Sequence, residues 1–258
     1  MKKFSISIPN NLVDWHLTLE NLNNLSDYFN GIEIPACNLG NQKLSEFLLQ
    51  SSYNITNVTE IIPISVSRNI IEQNISIREN IFNHINSLLL KEYSFPVNNY
   101  TIDLGLDNFN AAKSTYDKIH FLKQFSYSMY LNKLILTIPT RIPNSYSLGK
   151  HAKYMLDIIT QTMVNGFKIC LNIYPHESTS DTPDKIFKWF DFDLNIVRII
   201  YEPETGNYIT KELLNYWFEP LDKIGFTGNI IFCPKTNILS LFEDEMIKLS
   251  KVINQLSL

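Results

Sequence analysis

Two short stretches hold the densest group of side chains able to move protons or grip a cation. They are Tyr174-Pro175-His176-Glu177 and Tyr201-Glu202-Pro203-Glu204-Thr205-Gly206-Asn207. Each directly follows a β-branched run, Phe167–Ile173 or Ile196–Tyr201, so both read as loops leaving strands. An imidazole and up to three carboxylates on neighbouring loops can do two kinds of work. They can hold a divalent metal that polarises a carbonyl or hydroxyl, or they can shuttle a proton without one. His176, Glu202 and Glu204 are therefore the candidate catalytic residues, with Tyr174 and Asn207 as candidate substrate contacts. The same residue types also make ordinary solvated loop tips, and spacing alone leaves both readings open.

Three further positions could shape a binding site. Lys235 stands before Thr236 and Asn237, either of which could cap a helix over Leu239–Ile253. A lysine beside free backbone N–H groups suits a phosphate or carboxylate, unless it is simply a solvated lysine near a cap. Trp15 and His16 follow the first β-branched run and could wall a pocket or anchor packing. Arg141, after the fifth run, adds a second cation.

The elements that must position these residues show as a rhythm. Eight β-branched runs occur: Phe4–Ile8, Gly31–Ile34, Glu60–Val66, Tyr100–Leu104, Leu134–Ile138, Phe167–Ile173, Ile196–Tyr201 and Asn229–Phe232. Each is followed by a stretch that reads as helix, which over 258 residues matches an α/β fold of one (β/α)8 TIM barrel domain spanning residues 1–258. Helical spacing is clearest in Ile77–Leu90, through Ile77, Ile81, Ile85 and Leu88 or Leu89. It recurs in His151–Val164, through Tyr154, Met155, Ile158, Ile159 and Met163, with Gly166 as its expected C-cap, and in Thr210–Ile224. Inside the strands apolar and polar residues alternate, so Glu33, Asp103, Lys168 and Arg198 should point into the barrel. Charges of both signs there invite pairing, and a structural salt-bridge layer is the plain expectation for these four.

Composition removes several function classes. A formal charge of −4 and no cluster of Lys and Arg argue against a nucleic-acid surface. The N-terminal apolar stretch is broken by Ser5, Ser7 and Pro9, too short for a signal-peptide core or a membrane span, so a cytoplasmic protein without a membrane partner is expected. Three scattered cysteines, Cys37, Cys170 and Cys233, form neither a disulfide framework nor a zinc motif. Eight glycines without a P-loop or G-x-G-x-x-G string leave no glycine-rich nucleotide cradle.

Several pieces, in order, resemble the xylose isomerase-like barrel superfamily of sugar isomerases, sugar-phosphate epimerases and the endonuclease IV group. Gly31–Pro35 (GIEIP) is similar to that family's second strand, and Ser76–Leu89 leading to Tyr100–Gly105 to its third helix and next strand. Met163–Asn172 and Ile224–Phe232 resemble its sixth-strand and closing segments. The resemblance implies a divalent metal held by Glu, Asp or His at strand ends, and an acid/base pair beside a sugar carbonyl. This chain departs from that pattern. Asn172 or Ile173 stands where a glutamate is expected, Glu202–Thr205 where Asp-x-x-His is expected, and Cys233 or Lys235 at the last glutamate. An amide and a lysine neutralise a cation poorly, so no residue is assigned as a metal ligand and a divalent metal should bind weakly or not at all.

The resemblance thus implies a sugar or sugar-phosphate isomerase or epimerase, acting on a small molecule, with a homodimer as an arrangement that related barrels adopt. The alternative is a non-catalytic barrel that binds a carbohydrate or a protein. Abasic-site DNA cleavage ranks last, since the chain has five histidines and an acidic balance.

Overall fold

Period-two alternation decides the architecture, because a strand buried on both faces must offer one set of side chains to a helix layer and the other to a barrel interior. The computed structural model describes residues 3–9, 15–62, 74–103, 115–141, 148–177, 181–190, 193–236 and 238–256. Its strands are β1 (Lys3–Ser7), β2 (Gly31–Pro35), β3 (Asn54–Thr59), β4 (Asn99–Thr101), β5 (Ile135–Arg141), β6 (Phe167–Ile173), β7 (Leu194–Tyr201) and β8 (Asn229–Pro234). Each pairs parallel with the next, and β1 pairs with β8, so the sheet closes into one barrel. No helix among the described residues is long and apolar enough to cross a membrane.

The connecting helices are α1 (Trp15–Asn23), α2 (Gln42–Gln50), α3 (Ile75–Leu90), α4 (Thr115–Lys123), α5 (Ser126–Asn132), α6 (Leu148–Thr162), α7 (Pro183–Phe190), α8 (Lys211–Lys223) and α9 (Leu239–Asn254). Three start on side-chain caps that occupy an otherwise orphaned N–H: Asn41 accepts from Leu44, Asn74 from Ile77 and Thr210 from Leu213. Ile32, Ile34, Leu171, Val197 and Ile199 join the large apolar cluster with helix residues such as Leu22, Met155, Trp217 and Phe242. Cys170, Ile196, Ile200, Ile231 and Cys233 form a separate small cluster. The alternation divides the first set to the helix layer and the second to the barrel interior, as expected.

Two β-bulges set which residues face inward. Between β2 and β3 the register runs Ile32↔Ile55 and then Glu33↔Asn57, so Thr56 is an extra residue. Between β6 and β7 it runs Ile169↔Leu194 and then Cys170↔Ile196, so Asn195 is another. Asn99 touches both: its Nδ2 donates to the Thr56 carbonyl at 3.0 Å, and its Oδ1 accepts from Asn195 Nδ2 at 3.2 Å. Strands β4 and β7 are not neighbours, so this chain of bonds crosses the barrel.

Two expectations are corrected. The third strand is Asn54–Thr59, not Glu60–Val66. Glu60 adopts a left-handed backbone at φ 54 that ends the ladder, Ile61 and Ile62 are buried beyond it, and residues 63–66 lie outside the described residues. Nor does Gly166 cap α6. That helix ends at Thr162, and Met163, at φ 54 and almost fully exposed, takes the left-handed position instead of joining the apolar stripe. Gly166 lies instead where a Cβ would stand 3.0 Å from the Leu134 carbonyl oxygen.

The close approach of strands at the second bulge is testable. A Cβ on Gly228 would stand 2.2 Å from the Asn195 carbonyl oxygen. Gly228→Ala should therefore destabilise the barrel by about 1–3 kcal/mol through overpacking. Urea unfolding should show a lower midpoint at unchanged slope, and an unmoved midpoint would mean that the backbone yields without cost.

Candidate active site at the barrel mouth

A charged pair spans the barrel interior. Glu33 on β2 is fully buried, and its Oε1 lies 2.8 Å from Arg198 Nη2 on β7. Its Oε2 accepts from Asn57 Nδ2 at 2.6 Å, and the Cys233 thiol donates to Oε1 at 3.8 Å. Asn57 also donates to Thr101 Oγ1 at 2.8 Å, and Thr101 and Thr137 hydroxyls share a bond of 2.8 Å. Strands β2, β3, β4, β5, β7 and β8 thus contribute to one polar layer. Of the pairings expected inside the barrel, Glu33 with Arg198 is formed among the described residues. Lys168 instead reaches Asp193 at 2.9 Å, and Asp103 is exposed.

Burial works against a charged guanidinium, yet the Glu33 carboxylate and a hydrogen bond with Cys233 outweigh it, holding Arg198 well above its ordinary range. Arg198 therefore stays protonated at any working pH. Burial pushes both cysteines up, Cys233 to about 11 against the opposing pull of Arg198, so both are neutral thiols near neutral pH.

Above this layer lies a cavity of about 530 Å³. Its walls are Ser7 to Pro9 leaving β1, Pro35 ending β2, Thr59 and Glu60 leaving β3, and Cys233 to Thr236 leaving β8, with Arg198 and Glu204 from the β7 side. Every one of these strands contributes its C-terminal end, except that Arg198 comes from within β7, so the cavity occupies the face where such barrels do chemistry. Residues Ile231, Cys233 and Lys235 follow the period of two, which places Lys235 above Cys233 on the interior side. Glu204 sits on a 3₁₀ turn, Pro203–Thr205, and its Oε1 accepts from Thr236 Oγ1 at 2.7 Å.

The expected site residues divide into groups. Glu204 and Lys235 line the cavity. His176 and Glu202 are exposed and do not, so of the candidate catalytic trio only Glu204 reaches it. Arg141 forms an ion pair with Glu177 and lies over the Tyr174 ring, 4.2 Å from its centre, while Tyr174 packs on the interior cluster. Asn207 is half-buried outside the cavity lining. Trp15 and His16 open α1, and their side chains lie outside the described residues. At the helix start, Ile238 N–H is bonded to Thr236 Oγ1 at 3.1 Å, α9 begins at Leu239, and Asn237 lies outside the described residues.

Arg198 and Glu60 are the cavity residues that strand reading missed. Arg198 showed only as an interior charge, and Glu60 was hidden inside a misplaced strand. Its positive φ, strained for a residue with a Cβ, marks the sharp exit from β3.

The donor set does not fit a divalent metal. Glu33 has one oxygen on a guanidinium and the other on an amide, and the cavity adds two carboxylates, Glu60 and Glu204, beside a lysine and the fixed Arg198 cation. Among the described residues no three His, Cys, Asp or Glu side chains gather in a way that could hold an ion.

No protein-family model and no curated protein matches this sequence. Solved structures do. A D-psicose 3-epimerase from Clostridium cellulolyticum H10, solved with D-tagatose, is 14% identical at a TM-score of 0.72, covering 97% of this chain and 99% of that one. A xylose isomerase domain protein from Planctomyces limnophilus is 9% identical at 0.65, covering 98% and 95%. An AP endonuclease, family 2, from Brucella melitensis is 8% identical at 0.66, covering 97% and 99%. The fold is the closed (β/α)8 barrel that these structures share, and at these identities the likeness shows the fold alone.

The neutral state of Cys233 makes stability depend on alkaline pH. Its folded value, about 11, lies above its ordinary 9.0, so the stabilisation is complete below pH 9 and is lost as pH rises through 11. Two units amount to about 3 kcal/mol. Denaturant midpoints measured across that window should fall more steeply in the native protein than in Cys233→Ala, and equal slopes would refute the assignment.

Proposed function

We propose that the protein is a sugar or sugar-phosphate isomerase or epimerase whose substrate occupies the cavity at the barrel mouth. The observation that carries this reading is the placement of a carboxylate, Glu204, and a lysine, Lys235, on one cavity at the C-terminal strand ends. The fold supports it, since structures similar to this one include a D-psicose 3-epimerase and an L-ribulose 3-epimerase.

The reaction asked of the site is proton transfer beside a carbonyl. Glu204 takes the proton from the carbon next to C=O, the C–H electron pair forms a C=C bond, and the carbonyl oxygen gains the negative charge. Delivery of a proton from a second donor to the opposite face of that carbon gives epimerisation, with Glu204 releasing its own proton to solvent; delivery from Glu204 to the former carbonyl carbon, with the neighbouring hydroxyl proton passing to the oxyanion, gives isomerisation. No oxidant or reductant is consumed. Thr236 Oγ1, bonded to Glu204 Oε1, fixes the base in place and leaves Oε2 for the substrate. Lys235 supplies the point charge that a phosphate ester at the far end of a substrate would meet.

Proton exchange tests this whichever sugar is the product. Incubation in D2O with a panel of ketoses, aldoses and their phosphates should incorporate deuterium next to a carbonyl for at least one member, read by NMR. Glu204→Gln should lower the rate by about 100-fold or more, and Lys235→Met should raise KM chiefly for phosphate esters. A panel without exchange would favour the non-catalytic carbohydrate-binding barrel.

A further inference from the structure

We propose that Arg198, on the cavity floor, binds an oxyanion of the ligand directly, as a fixed organic cation. The ligand class is an α-hydroxycarbonyl or α-hydroxycarboxylate, whose paired oxygens suit a guanidinium. The inference rests on the mouth cavity being the ligand site.

Three observations converge on it. Arg198 Nε is buried and has no hydrogen-bond partner among the described residues, while Nη2 is held by Glu33. An N–H donor left without an acceptor in a charged group is costly, so the guanidinium keeps unspent donor capacity beside the cavity that its side chain lines. Second, the side chain lines the cavity yet is only 15% exposed, so its direction is set by the interior layer rather than by solvent. Glu33 cannot swing away, since Asn57 occupies its other oxygen and Thr101 and Thr137 extend the layer to β5. A donor fixed in this way needs no reorganisation when charge develops on a carbonyl oxygen. Third, the cations are arranged in sequence up the interior. Arg198 lies within β7 and Lys235 just beyond the end of β8, two residues past Cys233, and both line the same cavity. A ligand with its reacting oxygen down on Arg198 would have its far end near Lys235. Glu33 itself is closed to a metal ion, because a divalent cation at its carboxylate would stand beside the guanidinium.

Arginine Nε–Hε signals test this independently of turnover, because the chain has only four arginines: Arg68, Arg78, Arg141 and Arg198. In 15N-labelled protein, titration with glycolate should move one Nε–Hε resonance downfield in a saturable way, before and after EDTA treatment. That resonance should be missing from Arg198→Lys, which should also slow deuterium exchange about 100-fold. Where Arg198→Lys fails to fold, the double variant Glu33→Gln/Arg198→Met removes both charges together and serves as the assignment control, checked by circular dichroism. Inorganic phosphate is the second probe. A phosphate shift of the same resonance that survives Lys235→Met would put a phosphate rather than a carbonyl oxygen on the floor and overturn the ligand class. An unmoved Arg198 resonance with glycolate, or a glycolate effect abolished by EDTA, would overturn the inference while leaving the isomerase reading intact. A shift without any deuterium exchange would support the inference and defeat that reading.

Discussion

Everything inside this barrel answers to one constraint: a fully buried carboxylate, Glu33, must be neutralised. Arg198 does this from across the barrel, Asn57 and Cys233 complete the donors, and the threonines of β4 and β5 pass the hydrogen bonding onward. Such a pair adds little net stability, because desolvation offsets much of the attraction, whereas losing one partner costs about 3–5 kcal/mol. Its value is geometric. It selects one arrangement of strands and holds a cation rigidly under an open cavity, something that an exposed arginine such as Arg141 cannot do.

The fold was legible wherever outward and inward faces contrasted. Six of the eight β-branched runs coincide with strands because their helix-facing residues are mostly Ile, Val, Leu and Phe, and a seventh, Tyr100–Leu104, overlaps β4 at Tyr100 and Thr101 alone, with Leu104 outside the described residues. The run placed third failed for a physical reason. In Asn54-Ile-Thr-Asn-Val-Thr the bulge at Thr56 breaks the period of two, and Asn57 serves the polar layer. The strand therefore looks like a loop, while the more apolar Glu60–Val66 looks like a strand. Gly166 misled in a related way, since a left-handed position beside solvent can be filled by Met163, and the glycine answers to a close backbone neighbour.

The site was less legible than the fold. Glu204 and Lys235 could be picked out because both follow strand ends, and position along a strand is readable from sequence. His176 and Glu202 share that property and yet stay outside the cavity lining. The difference lies in loop geometry. A 3₁₀ turn carries Glu204 back over the barrel to Thr236, while Glu202 precedes the turn and gives only its backbone carbonyl, to Thr205. Arg198 shows the opposite limit. Its inward direction was readable, but that it also reaches the cavity floor depends on partners that lie on other strands.

The bulges carry a consequence for how this chain can change. An extra residue in a strand is a shift of phase: with Asn195 kept but the bulge smoothed out, the register that pairs Ile169 with Leu194 would continue, and Cys170 would face Asn195 instead of Ile196. Every later residue of β7 would exchange faces, sending Arg198 into the apolar layer and Val197 to the ion pair. The address of the central charge is thus written in a count of residues and not in their kind: a single-residue insertion or deletion in β3 or β7 away from Thr56 and Asn195 turns every later residue to the other face, whereas loss of Thr56 or Asn195 itself only straightens the strand.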